Sequence, residues 1–181
     1  MLQLHKEIAA LARRAKKAGM LAGVRLNATS DIPWHRVAYT GPDGTRHRNV
    51  MSAFPDVSFY DYTKRPPKAS DVFPANYHLT FSLAENNDRD AITALCNGMN
   101  VAAVFAVKRG QPLPPLMGVD TKGKLVATDE AGPFGSTVRV IDGDLHDYRP
   151  ADGKHPLGVI VGLRAKGKAI HDASGFVRPA S

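Results

Sequence analysis

The chain has 181 residues, 43% hydrophobic and 23% charged, the proportions of an ordinary globular protein rather than of a disordered or collagen-like one. Lys and Arg number 24 against 17 Asp and Glu, so the net charge is +7, and a pI of 9.7 points to acidic partners, nucleic acid first among them. A single cysteine, Cys96, excludes an internal disulfide and a cysteine-rich zinc or iron–sulfur site. Residues 1–20 carry Lys6, Arg13, Arg14, Lys16 and Lys17 and no unbroken apolar run of the length a signal peptide needs. Neither a signal peptide nor a spanning helix is therefore expected, and the one free thiol agrees with a cytoplasmic location.

Leu4, Ile8, Leu11, Ala15 and Ala18 recur at steps of three and four, which predicts an N-terminal helix within residues 1–22, with basic last turns and Gly19 as its stop. Residues 23–27 (GVRLN) read as a first strand. Pro33, Gly41-Pro42 and Asp43-Gly44 mark a loop, and a short helix is expected over about 48–54, ended by Pro55. Residues 57–62 (VSFYDY) form the second strand, Pro66-Pro67 breaks the chain, and residues 77–82 (YHLTFS) form the third. A helix capped by Asn87 or Asp88 runs through Leu95 and stops at Gly98, and residues 100–107 (NVAAVFAV) make a strand apolar on both faces. Residues 108–135 are rich in Pro and Gly and read as loop, with a weak hairpin at 124–128. Residues 138–141 and 159–163 are two further short strands, and the basic tail 165–181 is expected to be partly exposed. Strands alternating with helices predict an α/β fold with a mostly parallel sheet of about six strands over residues 23–164. That is too few for a full eight-stranded barrel, so an open, partial (β/α)-barrel is expected.

In parallel α/β folds ligands meet the carboxyl ends of the strands. That rule selects Asn27 and Asp31 after the first strand, Asp61 to Lys64 after the second, and Ser82, Glu85 and Asn86 after the third. It also selects the stretch 142–147 and then Arg164, Lys166 and Lys168. Asp142, Asp144, His146 and Asp147 place three carboxylates and an imidazole within six residues, ligand types that suit magnesium, manganese or zinc. Their spacing matches no standard metal motif, and an Asp-Gly turn is the competing reading. Asp31, Asp142 and His146 are the candidate catalytic groups. Residues 60–65 (YDYTKR) interleave aromatics with Lys64 and Arg65, and residues 164–168 (RAKGK) place Gly167 between two lysines, so both stretches suit phosphate contacts. No G-x-x-x-x-G-K-[ST] and no G-x-G-x-x-G is present, which leaves nucleoside triphosphatases and dinucleotide enzymes without support. Ser82 lacks a nucleophile elbow. Cys96 is expected to be a buried structural thiol, His78 an interior histidine, and His35, His47, His155 and His171 loop residues with no assignable partner.

Residues 24–31 (VRLNATSD) and 54–64 (FPDVSFYDYTK) resemble a pattern in the bacteriophage and plasmid "gene product eighty-eight" proteins: an Arg-hydrophobic-x-x-[Ser, Thr or Ala]-[Ser or Gly]-Asp segment, a helix, then a strand ending in Tyr-Thr-Lys. Residues 77–87 (YHLTFSLAENN), 140–147 (VIDGDLHD) and 158–168 (GVIVGLRAKGK) resemble the C-terminal part of one branch, so the resemblance spans the chain from about residue 14 onward. It implies a phage or mobile-element protein in the cytoplasm of a bacterial host, with Asp31 and Lys64 at family positions, and supplies no mechanism. Longer members begin with a cysteine-rich stretch that suggests a metal or iron–sulfur site. That stretch is absent here, and no iron–sulfur cluster is expected.

These readings combine into an accessory protein that binds nucleic acid or a nucleotide at the carboxyl ends of its strands. Lys64, Arg65, Arg164, Lys166 and Lys168 would meet phosphates, with Asn27 and Asp31 at a base or sugar. A metal-dependent hydrolase or transferase built on residues 142–147 is the alternative, and a non-catalytic inhibitor of a host protein is a third class. No membrane partner is expected.

Overall fold

The structure, a computed structural model, describes residues 1–68, 70–132 and 136–180. The fold is α/β with a large, mostly parallel sheet. The chain divides into two compact units, Met1–Tyr62 with Lys68–Leu79, and Thr63–Pro67 with Thr80–Ser181. No described helix is long and apolar enough to cross a membrane.

In the first unit, helix α1 (Leu2–Lys17) turns Ile8 inward, and Leu4, Leu11, Ala12 and Ala15 pack on the same buried cluster. It ends where Gly19 takes φ +67° and Met20 N–H returns to Ala15 O at 2.9 Å, a left-handed C-terminal turn that glycine adopts without strain. Strand β1 (Ala22–Val24) is shorter than the expected 23–27 and pairs in parallel with β4 (Val57–Thr63), Val24 opposite Phe59. A small antiparallel pair, β2 (Tyr39–Thr40) and β3 (Arg46–His47), fills the expected loop. Helix α2 (Val50–Ala53) starts at Asn49, whose side chain accepts from Ser52 N–H at 2.9 Å while Ser52 Oγ accepts from Asn49 N–H, a reciprocal cap. Phe59, Val57, Met51, Val50 and Tyr77 are buried together around this unit's core, each large apolar side chain stabilising it by about 1.5–3 kcal/mol.

In the second unit, the end of β5 (Tyr77–Ser82) pairs in parallel with β6 (Val101–Phe105), which pairs with β10 (Ile160–Arg164), which pairs with β9 (Thr137–Asp142). The hairpin β7 (Leu116–Val119) and β8 (Leu125–Thr128) continues antiparallel from β9, so the stretch read as loop with a weak hairpin carries a complete one. Helix α3 (Asp88–Cys96) has Asp88 and Asp90 in its first turn, and Asn87 turns its side chain back to Ala84 N–H and Ser82 O rather than capping the helix. The tail adds one short strand. Strand β11 (Val177–Arg178) pairs with β6 at Val104 and Phe105, next to where β5 leaves off opposite Ala102. Within each unit the path of paired described strands is open, and barrel-like closure is not part of it.

Candidate functional site

Strands β9, β10 and β6 are parallel, so their carboxyl ends share one edge, where Asp142, Arg164 and Phe105 are the last strand residues. Arg164 organises that edge. Its Nη1 donates to Asp142 Oδ1 at 2.9 Å and Asp144 Oδ2 at 3.1 Å, while Nε and Nη2 donate to the carbonyl of Gln111 at 2.9 and 2.8 Å. The backbone N–H of Arg164 also donates to Asp144 Oδ2 at 3.0 Å, and Lys166 Nζ donates to Asp144 Oδ1 at 2.7 Å. Gly143 makes this approach feasible: its N–H reaches Gly162 O at 2.8 Å, and a Cβ there would stand 2.5 Å from Val161 Cγ1. The Arg164 hydrogen bond, against a smaller effect of burial, holds the Asp142 carboxyl below its ordinary range. Burial raises Asp144, but hydrogen bonds from Lys166 and Arg164 outweigh it and leave that carboxyl lowered too. Arg164, Lys166 and Asp144, with Arg109, Gly110 and Ala165, line a pocket of about 440 Å³. Arg109 follows β6 and carries no motif that marks it among the chain's other loop arginines, so only the fold brings it to the edge.

The residues read as a metal set do not converge. Asp142 and Asp144 face Arg164 and Lys166, and Asp147 is exposed. His146 lies with Nδ1 3.3 Å from Arg149 Nη2 and Nε2 3.6 Å from Asp152 Oδ1, so both ring nitrogens stand beside other charged groups. Among the described residues no group of three or more His, Cys, Asp or Glu is placed to hold a metal ion. Behind this turn Arg149 is 1% exposed and donates through Nη2 to Gly143 O at 3.0 Å and to His146 O, with Nη1 3.4 Å from Asp152 Oδ2. Burial pushes the Asp152 carboxyl up, partly countered by Arg149 and the histidines His146 and His155.

In the first unit Asn27 is 3% exposed. Its Oδ1 accepts from Ser30 Oγ at 2.9 Å, Ile32 N–H at 3.2 Å and Trp34 Nε1 at 2.9 Å, and its Nδ2 donates to Ile32 O at 3.0 Å. The residue expected at a base or sugar ties the loop after β1 to itself, because a buried amide is stable only when its polar atoms are matched. Asp31 lies in that loop, half-buried. Beneath it, fully buried Asp61 accepts from Leu26 N–H at 2.8 Å, Asn27 N–H at 2.6 Å and Tyr77 OH at 3.0 Å. Burial drives the Asp61 carboxyl above its ordinary range against those three hydrogen bonds, and burial followed by the Asp61 charge drives the Tyr77 phenol up. The signal was in the sequence: Asp61 falls in step with Val57, Phe59 and Thr63, all on the buried face of β4.

Lys64 and Arg65 follow β4 and are exposed, the Arg65 N–H donating to Thr63 Oγ1 at 3.0 Å. Lys168 is exposed in the 3-10 turn Gly167–His171. Cys96 closes α3 on its solvent side, which corrects the expected buried thiol. His35, to which the sequence assigned no partner, sets Nε2 3.1 Å from Asp71 Oδ1, and His155 Nε2 lies 3.1 Å from Asp152 O.

With this geometry in place, the Gene product 88 family matches the chain over residues 1–180. The chain belongs to that family. The match reaches the N-terminal helix, so the family likeness begins earlier than residue 14 and includes α1. Neither the curated proteins nor the solved structures contain a match to this member of the Gene product 88 family.

Proposed function

We propose that this Gene product 88 protein binds a phosphate-bearing ligand, nucleic acid or nucleotide, at the carboxyl edge of β9, β10 and β6, as a phage or mobile-element accessory protein in a bacterial cytoplasm. The observation that supports this is the pocket where Arg109, Arg164 and Lys166 meet. A volume of about 440 Å³ lies in the range of small-molecule sites, roughly 300–1,000 Å³. Arg164 is already fixed by Asp142, Asp144 and the Gln111 carbonyl, so little rotamer freedom is lost when its face meets a planar or phosphate group. Lys166 is 74% exposed at its side chain and holds Asp144 by one contact, which an incoming phosphate can replace. Lys168, Lys64 and Arg65 are exposed in the same unit and would extend the contacts along a polymer.

Asp144 opposes an anion in this pocket, and that makes the reading testable by a gain as well as a loss. Two unit charges about 4 Å apart interact by about 1 kcal/mol in water, so Asp144→Asn, which keeps an acceptor for Arg164, raises affinity for adenosine monophosphate about fivefold. The pair Arg109→Gln and Lys166→Gln lowers it by about tenfold or more, and added salt weakens the unaltered protein. Calorimetric titration with adenosine monophosphate and with inorganic phosphate at low and physiological salt measures all three. No binding of either, or an Asp144→Asn protein no tighter than the parent, refutes the reading.

A further inference from the structure

We infer that the outward face of α1 is a nucleic-acid-binding surface that runs along a phosphate backbone. It lies in the first unit and stands whether or not the pocket of the second unit takes a phosphate. Lys6, Ala10, Arg13, Arg14 and Lys17 are spaced at steps of four, three, one and three, so they share one side of the helix, and the four cations are exposed. Ile8, Leu4, Leu11 and Ala15 occupy the opposite side and are packed on the core. Glu7, Ala10, Arg13, Arg14 and Lys17 line a shallow groove of about 430 Å³, floored by the small Ala10, into which a backbone can settle between cations. Among the described residues Arg13, Arg14 and Lys17 make no ion pair, and Glu7 accepts instead from Gln3 Nε2 at 2.8 Å. From Lys6 to Lys17 the helix rises roughly 16 Å, about the axial length of five nucleotides at 3.4 Å each.

Charge complementarity selects a polyanion, and the packing selects which kind. An interfacial helix binds an anionic bilayer by sinking its apolar face among the acyl chains. In α1 that face is used inside the protein, with Ile8 only 3% exposed, so the helix offers cations and no apolar stripe. A nucleic-acid backbone needs only the cations.

The test is fluorescence anisotropy of a labelled 20-nucleotide single strand and a 20-base-pair duplex over a salt series, with helicity of every variant checked by circular dichroism. Each phosphate contact adds about 0.7 to the slope of log K against log salt on a single strand and about 0.9 on a duplex. The variant Arg13→Gln, Arg14→Gln, Lys17→Gln therefore flattens the slope by about 2 on the single strand and by about 3 on the duplex. A variant of equal charge change, Lys122→Gln, Lys124→Gln, Lys154→Gln, alters exposed lysines of the second unit and leaves the slope unchanged. Glu7→Gln removes the one acid on the groove and tightens binding about threefold, a gain that partial unfolding does not produce. The inference is overturned by equal effects of the two triple variants, by absence of binding to either oligonucleotide, by a Glu7→Gln protein no tighter than the parent, or by capture on phosphatidylserine vesicles in place of DNA. Because the pocket is read with adenosine monophosphate and this face with oligonucleotides, either can fail alone.

Discussion

Arg178, three residues from the chain's end, is 6% exposed and meets Asp88, 7% exposed, at the start of α3. Nη1 lies 3.0 Å from Oδ1 and Nη2 donates to Oδ2 at 3.1 Å, a two-pronged pair, while Nη2 also donates to Ala84 O at 2.7 Å. Asp88 Oδ1 accepts in addition from Leu125 N–H at 2.9 Å, so this one carboxylate joins β11, α3 and β8. Arg178→Met keeps most of the apolar stem and leaves Asp88 buried without its cation, which costs about 3–5 kcal/mol. For a domain of this size that is roughly 6–20 °C in Tm, set against a typical total stability of about 5–15 kcal/mol. Asp88→Asn removes the stranded charge and keeps an acceptor for Leu125, so it destabilises the parent yet is neutral or stabilising in the Arg178→Met background. Urea unfolding of the four proteins closes the cycle and gives the coupling directly. A loss below about 1 kcal/mol for Arg178→Met, or a coupling near zero, would show that the tail is not held by this pair and refute the reasoning.

Two further outcomes follow from the first unit. Tyr77→Phe deletes the hydroxyl that donates to Asp61 Oδ2 and leaves a buried carboxyl oxygen unmatched, a loss of about 1–3 kcal/mol in urea melts; an unchanged midpoint contradicts it. Asp71 accepts from Lys68 N–H, His35 and Arg36, and those hydrogen bonds outweigh burial to bring its carboxyl down to about 2 from the ordinary 3.8. Because the folded-state value is depressed, its contribution is complete above pH 3.8 and is lost as pH falls through about 2. The stability difference between the parent and Asp71→Asn therefore shrinks on going from pH 5 to pH 2, and a gap that stays constant over that range counts against the pairing.

Local pattern and tertiary placement contributed differently to what was legible. Strand β5 falls on the expected residues 77–82, and β6, β9, β10, α1 and α3 lie within a few residues of their expected bounds, because period and punctuation are written in consecutive residues. The hairpin β7–β8 was mostly missed, since Pro114-Pro115 and the flanking glycines read as breakers while the strand between them gains its partners from β9. The short strand in the tail went unread for the same kind of reason: two residues, Val177 and Arg178, carry no strand signal until β6 offers an edge at Val104 and Phe105.

For the candidate site, the rule that strand ends gather functional groups selected Asp142, Asp144, Arg164 and Lys166, and the structure does bring these four together. What it did not settle was their relation. Adjacency along residues 142–147 made three carboxylates and a histidine look like partners, whereas the turn at Gly143 sends Asp144 toward Arg164 and leaves His146 beside Arg149 and Asp152. The sequence by itself determined the strand and helix periods, the parallel α/β class and the excess of cations, all properties of neighbouring residues or of simple composition. Only the tertiary structure decided which charges oppose each other and that Arg109 joins Arg164. Those outcomes depend on distances between residues far apart in the chain, and electrostatic and hydrogen-bond energies are set by distance and burial, not by order.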